Sequence, residues 1–273
     1  MSQLITDALR RWIVEQAQAG CTPESVLQAM RDSGWEEATA MAAMEASLRA
    51  VVVEAPRPVP FIEMQPGSTA DAGDRAVQVL AVLHKPTVVV LGGLLSAEEC
   101  DEVVAHARPR MGRSETVRND DGQAEVHEAR TSQGMFFERG EFDLLRRIEA
   151  RMATLLHWPV EHGEGLQVLH YQPGAEYKPH HDYFDPASPG TAAVLRRGGQ
   201  RVGTLIVYLN TPEAGGATTF PDVGLEVAPV KGNAVFFSYD RPQPASLTLH
   251  AGAPVTAGDK WVATKWLREG VFT

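Results

Sequence analysis

Cysteine is scarce: Cys21 and Cys100 are the only two in 273 residues. Two thiols cannot build a disulfide framework or a thiolate metal cluster, so nothing requires an oxidising compartment and a cytoplasmic protein is expected. Long apolar runs are missing as well. No window reaches about 18 uninterrupted apolar residues, and MSQLITDALRRWIVEQ has neither an apolar leader core nor a cleavage site, so no membrane association is expected. Basic residues are the minority sign, 25 Lys+Arg against 35 Asp+Glu, for a net charge of −10. A phosphate-backbone binder needs clustered cations, which argues against a nucleic-acid partner. The local run Arg108, Arg110, Arg113 and Arg118 reads as a solvated loop. Repeats and low-complexity tracts are absent, and the composition is that of a globular protein.

What is present falls into three stretches. Residues 1–50 predict a small three-helix bundle. Leu4, Ile5, Ala8, Leu9, Trp12 and Ile13 recur at helical spacing, Gly20 stops that helix, and Thr22-Pro23-Glu24 starts a second. Gly34 ends the second helix, and Trp35 opens a third carrying Met41, Met44 and Leu48 as core. Residues 51–75, with Pro56, Pro58, Pro60 and Pro66 followed by GSTADAGD, read as a Pro/Gly-rich linker. Residues 76–273 read as strands with a few helices. Thr87–Leu91 predicts a strand, Ser96–Glu99 a capping box opening a helix to about Ala107, 109–129 a long loop, Arg130–Phe137 a strand and Phe142–Trp158 an amphipathic helix. Short strands follow near 165–172, 176–182, 202–210, 217–220, 225–228, 233–238, 247–251 and 260–268. The fold class is therefore mainly β (α+β), a sandwich or barrel with two helices over one face.

The chemistry concentrates in LQVLHYQPGAEYKPHHDYFDP at 166–186. Alternate side chains of a strand share a face, so His180 and Asp182 project together while His181 points away. An imidazole and a carboxylate are half of a facial metal site, and His250 in LTLHAGAPV supplies a third ligand from a later strand. Two histidines and one carboxylate leave three positions open, which suits non-haem Fe(II) and O₂ chemistry; a closed zinc site would need a fourth protein ligand. In KWVATKWLR, Lys260, Val262, Thr264, Trp266 and Arg268 share one face. An inward lysine requires an anion, because a buried unpaired charge is strongly disfavoured. The distal carboxylate of a 2-oxo diacid would serve, with Tyr171 and Thr204 as hydroxyl donors. The plainer reading of Lys260 is an exposed residue at a strand end.

HYQPGAEYKPHHDYF, RVGTLIVYLN, GGATTFP, KGNAVFF, LHAGAPV and GDKWVATKW occur in that order, preceded by RTSQGMFF at 130–137. Over about residues 76–273 this series resembles the prolyl 4-hydroxylase family of Fe(II)/2-oxoglutarate-dependent dioxygenases. The resemblance implies a double-stranded β-helix (jelly roll). It also implies iron on His180, Asp182 and His250, and Lys260 on the C5 carboxylate of 2-oxoglutarate. Tyr171 and Thr204 would support that carboxylate and Trp266 would line the same pocket. The implied reaction consumes 2-oxoglutarate and O₂, releases succinate and CO₂ and inserts oxygen into an unactivated C–H bond, with ascorbate as an accessory reductant. The loops at about 109–129 and 184–201 would flank the pocket mouth as lids.

The substrate is less determined. Where such hydroxylases often carry a histidine facing the peptide, this chain has Arg268, whose guanidinium favours carboxylate or carbonyl acceptors. Two readings follow: oxygen insertion into a peptidyl residue, proline first, or the same chemistry on a free amino acid or small metabolite. The plainer reading of Arg268 is a solvated residue past the strand end. Glu164 stands where the family can carry a substrate-side glutamate, and reads more simply as a surface ion pair. A third reading is a non-catalytic β-sandwich binding module. Under any of these readings the N-terminal bundle, which resembles a ubiquitin-associated-type module in size and glycine placement alone, would bind a protein partner, present substrate, mediate dimerisation or protect an exposed sheet.

Overall fold

A computed structural model describes residues 5–18, 21–52, 58–113, 116–117, 124–125 and 132–273. Leu4, Gly20, Pro56, Arg118, Arg130 and Thr131 therefore lie outside the described residues, as do the side chains of Leu48 and Arg113. The chain divides into two compact units, Met1–Arg57 and Pro58–Thr273.

The first unit is helical: α1 (Asp7–Gln18), α2 (Pro23–Asp32) and α3 (Glu37–Val52). Thr22 caps α2, its hydroxyl accepting from the Ser25 amide at 3.3 Å, and Pro23 occupies the first turn, where its missing N–H is harmless. Gly34, at φ +88, takes the left-handed turn that releases the chain toward α3. Ile13, Val26, Met30, Ala40, Ala43 and Met44 form the core of this unit. Met41 does not join it and is 55% exposed. The buried stripe of α3 runs Ala40, Ala43, Met44, Ser47, the i, i+3, i+4, i+7 set, with the Ser47 hydroxyl satisfied on the Ala43 carbonyl at 2.6 Å.

The second unit is mostly β. It opens with β1 (Thr69–Asp71), β2 (Ala76–His84) and β3 (Thr87–Gly92), and α4 (Ala97–Ala107) follows. Next come β4 (Gly112–Arg113), β5 (Thr116–Val117), β6 (Ala124–Glu125), β7 (Gln133–Phe137) and α5 (Asp143–Leu156). Then β8 (Leu166–Tyr171), β9 (Tyr177–His180), α6 (Thr191–Leu195), β10 (Arg201–Tyr208) and β11 (Ala214–Gly215). The chain continues through β12 (Thr218–Phe220), β13 (Leu225–Val227), β14 (Ala234–Ser238), β15 (His250–Gly252), β16 (Val255–Ala257) and β17 (Lys260–Arg268). A nine-stranded antiparallel sheet in the order β1-β2-β3-β14-β10-β17-β8-β7-β4 faces a four-stranded sheet, β13-β12-β15-β9.

The period-two pattern assigns the faces of the large sheet. Val89, Leu91, Leu205, Val207, Ala234, Phe236, Trp261, Ala263 and Leu267 look outward and pack with α4 and α5. Val88, Leu169, Tyr171, Tyr208, Val235, Phe237 and Val262 look inward and meet Phe220 and Val227 of the small sheet. Strand β17 is buried along its whole length, as its central place requires. Ser96 and Glu99 form the capping box of α4, with reciprocal bonds of 3.1 and 2.9 Å.

Three expectations shift. The stretch read as linker to residue 75 contains β1, because Asp71 accepts from the Gly73 amide at 2.9 Å and closes a hairpin onto β2. The segment 184–201 holds α6 and is pinned at its base, where Gln200 exchanges hydrogen bonds of 2.8 and 2.7 Å with the Phe184 backbone. The region 109–129 includes β4, β5 and β6, and its other residues lie largely outside those described. No helix among the described residues is long and apolar enough to cross a membrane.

Candidate active site

Strands β9 and β15 pair with His180 opposite His250, so two imidazoles meet across one ladder. Each ring is oriented by its own strand: His180 Nδ1 lies 2.9 Å from the Lys178 carbonyl and His250 Nδ1 lies 3.0 Å from the Thr248 carbonyl. A carbonyl only accepts, so both Nδ1 atoms carry hydrogen and both Nε2 atoms present a lone pair. Those lone pairs point at one carboxylate, with His180 Nε2 at 3.7 Å from Asp182 Oδ1 and His250 Nε2 at 3.5 Å from Asp182 Oδ2. One ligand atom from each of the three residues falls within 4.8 Å of the other two. Burial opposes ionisation of Asp182, yet the positive charge that His250 and His180 carry when protonated, then Arg201 and the Thr204 hydroxyl, outweigh it and hold the carboxyl down at about 2 in the metal-free protein. Donor types, tautomers and spacing together fit a divalent iron with three protein ligands.

The cavity beside these residues is lined by Leu169, Tyr171, Tyr177, Thr218, Lys260, Val262, Thr264 and Trp266 among others. Lys260 lies opposite Tyr171 in the β17–β8 ladder, and its Nζ sits 5.4 Å from the Tyr171 ring and 5.8 Å from the Tyr208 ring. Tyr208 donates to Thr218 at 2.8 Å, which places a hydroxyl pair at that end of the cavity. Lys260 is 3% exposed, and burial alone pushes its ammonium down to about 8, with no carboxylate among the described residues to counter it. A buried cation without an anion fits a cavity built to receive a carboxylate.

The comparisons with known proteins bear on the same residues. Residues 166–268 match the family model described as the 2OG-Fe(II) oxygenase superfamily. Among curated relatives, Prolyl 4-hydroxylase 5 of Arabidopsis thaliana is 37% identical over 233 residues, covering 77% of each chain. Prolyl 4-hydroxylase 1 of the same plant is 40% identical over 206 residues, covering 69% of this chain and 71% of that one. The chain belongs to the prolyl 4-hydroxylase family. Among solved structures, the viral collagen prolyl hydroxylase of Paramecium Bursaria Chlorella virus-1, determined as a 2OG complex, superposes with a TM-score of 0.51 at 30% identity, covering 66% of this chain and 95% of the other. As a member of this family the chain is a 2-oxoglutarate-dependent dioxygenase whose cofactors are Fe(II), 2-oxoglutarate and O₂.

Not every residue singled out in the sequence sits where it was expected. Thr204 pairs with Trp266 across β10 and β17, six residues along the strand from Lys260, or about 20 Å at the usual rise. Its hydroxyl donates to Asp182 Oδ2 at 2.7 Å and so serves the metal ligand, not the distal carboxylate. Trp266 does line the cavity, and its buried Nε1 has no hydrogen-bond partner among the described residues. Arg268 is not a solvated strand end: β17 continues through it, and it is 2% exposed. Glu164 is not on the surface either, being 7% exposed. It receives Arg201 in a fork of 2.7 and 2.9 Å and pairs with Arg268 Nε at 2.7 Å. Burial and the neighbouring Arg201 press the Arg268 guanidinium down to about 10, with Glu164 working the other way. Arg201 also donates to the Asp182 carbonyl at 3.3 Å and stacks 3.9 Å over Trp266.

Sequence reasoning missed Arg201, Tyr208, Thr218 and Tyr239. Inward parity with Thr204 would have found Tyr208. Arg201 is offset by a bulge between Arg201 and Gly203, which erases parity.

Proposed function

We propose that this dioxygenase hydroxylates a prolyl residue within a peptide or protein. The observation that carries this reading is the state of Arg268. Its guanidinium shares Glu164 with Arg201, lies 4.8 Å from the Phe184 ring and 5.2 Å from the Phe272 ring, and is 2% exposed, so it presents no accessible cation to the carboxylate of a free amino acid. That removes the feature which favoured a small acidic substrate. The Arabidopsis relatives are named prolyl 4-hydroxylases and the viral relative a collagen prolyl hydroxylase, which supports the prolyl choice.

The residues divide the work as follows. His180, Asp182 and His250 hold the iron, and Lys260, Tyr171 and the Tyr208–Thr218 pair receive the distal carboxylate of the cosubstrate. Bound iron and 2-oxoglutarate supply the oxidising power toward an unactivated C–H bond. Trp266 closes the wall between that cavity and the Glu164–Arg201–Arg268 cluster, and the apolar Leu169, Ile206 and Val262 exclude water. We assign the N-terminal helices a separate role in protein recognition or dimerisation, supported by the exposed Met41 on α3. Two unpaired cysteines support a reducing, cytoplasmic setting.

The test is a proline-rich peptide library incubated with the chain, Fe(II), 2-oxoglutarate and ascorbate. Succinate release with a mass gain of one oxygen on proline is expected, and His180→Ala should abolish both. Oxygen appearing only on free amino acids would overturn the peptide reading.

A further inference from the structure

Asp182 is a two-oxygen ligand, and the fold treats its two oxygens differently. Oδ2 accepts the Thr204 hydroxyl at 2.7 Å, and Thr204 Oγ1 in turn lies 3.0 Å from the Tyr239 hydroxyl. Thr204 has one hydroxyl hydrogen, and the carboxylate can only accept, so that hydrogen goes to Asp182. Tyr239 must then donate to Thr204, and the chain runs in one direction, Tyr239 to Thr204 to Asp182. All three are buried: Thr204 is 0% exposed, Tyr239 3% and Asp182 6%. Burial also raises the Tyr239 phenol well above its ordinary range, which keeps it a donor. Each oxygen faces one imidazole, Oδ1 the His180 Nε2 at 3.7 Å and Oδ2 the His250 Nε2 at 3.5 Å, but among the described residues a hydroxyl donates to Oδ2 and none to Oδ1.

We propose that Thr204, backed by Tyr239, is a positioning residue that ties off Oδ2 so that Asp182 offers the iron Oδ1 alone. The inference rests on the iron site described above and adds a reason for the third open position. Two imidazoles and a one-oxygen carboxylate occupy three of six places, leaving two for the chelating cosubstrate and one for O₂. A carboxylate bound through both oxygens would take the last. The fold achieves this at the level of the strands. Thr204 is carried on β10 and Tyr239 directly follows β14, its neighbour in the large sheet, whereas Asp182 follows β9 of the small one.

The experiment compares full-length wild type with Thr204→Val, Thr204→Ser and Tyr239→Phe under anaerobic conditions. Fe(II) affinity is measured at saturating 2-oxoglutarate, together with the position of the visible charge-transfer band, and folding is followed by circular dichroism melting. Thr204→Val should weaken Fe(II) binding about 10–100-fold, the range for loss of an outer partner of a metal ligand, and shift the band. Thr204→Ser should restore both, and Tyr239→Phe should weaken binding by less than Thr204→Val. If Thr204→Val does not fold, Tyr239→Phe decides: weaker Fe(II) binding at an unchanged melting temperature supports the relay, and unchanged binding overturns it. Equal affinity and an unmoved band in Thr204→Val, or a Thr204→Ser variant as impaired as Thr204→Val, overturns this inference alone. A wild type that takes up no Fe(II) overturns the iron site and the inference with it.

Discussion

Lys260 carries an energetic conflict that can be measured. Its ammonium is buried with no carboxylate beside it among the described residues, and burial pushes it down to about 8, against 10.5 for the ordinary side chain. That difference corresponds to about 3 kcal/mol of destabilisation while the group is charged. Lys260→Met should therefore raise the stability of the cosubstrate-free protein at pH 7 by about that amount, read by urea unfolding. The sign follows from the depressed folded value: the gain is full below pH 8 and shrinks as pH rises toward the unfolded value, where the wild type sheds its charge. The same substitution should abolish measurable 2-oxoglutarate binding. In the wild type, affinity for 2-oxoglutarate should be flat below pH 8 and fall by up to tenfold per pH unit above it, because the proton must be returned before the carboxylate is held. A Lys260→Met protein no more stable than wild type would show that an anion already pairs with this lysine in the folded chain. At this scale the sequence was legible wherever parity alone decides. Alternation and strand spacing brought His180, Asp182 and His250 together and put Lys260 and Trp266 on one face, while the family resemblance supplied the roles of those last two; His170 turns outward to Asp259 at 2.8 Å as alternation requires. Thr204 was placed inward correctly but given the wrong neighbour, because parity selects a face and not a position along it.

Elements were legible where a local signal starts or stops them. The Ser96–Glu99 box and Thr22-Pro23 mark helix starts that the structure retains, and β17 spans the residues 260–268 predicted for it. The end of α5 was not, since His157 enters the left-handed region at φ 47 with no glycine to announce it and stacks on Phe61 at 4.6 Å. Nor was β1, a three-residue strand inside a Pro/Gly-rich stretch that forms only by hairpin pairing with β2. Arg151 of α5 donates to Asp74 beside that hairpin at 2.8 and 2.7 Å and to Glu99 of α4 at two distances of 2.7 Å. Arg151→Met should cost roughly 2 kcal/mol, a loss of charged hydrogen bonds moderated by the exposure of Asp74. Hydrogen bonding to Arg151 holds both acids below their ordinary values of 3.8 and 4.5. Their contribution is present above those values and lost as pH falls through the folded ones, so the wild type should destabilise on acidification below about pH 4.5 more steeply than the variant. Parallel acid-unfolding curves for the two proteins would refute the clamp.

For the molecule as a whole, the division of the chain has a physical basis that the proline content only hinted at. Among the described residues, the helical core of Ile13, Val26, Met30, Ala40, Ala43 and Met44 falls within Met1–Arg57, and the buried members of the two β cores fall within Pro58–Thr273. The family match at 166–268, the three metal ligands and Lys260 all belong to the second unit. A chain of residues 58–273 should therefore fold and release succinate from 2-oxoglutarate at a rate within about twofold of the full chain, whatever partner the helices recognise. The helical unit is short enough that its apolar core supplies only a few kcal/mol, so it should be the lower-melting of the two. Calorimetry of the full chain should then show a small early transition and a large later one, and truncation should remove the first while leaving the second in place. A single cooperative transition in the full chain, or a truncated chain that neither folds nor turns over 2-oxoglutarate, would mean that the helices complete the dioxygenase rather than accompany it.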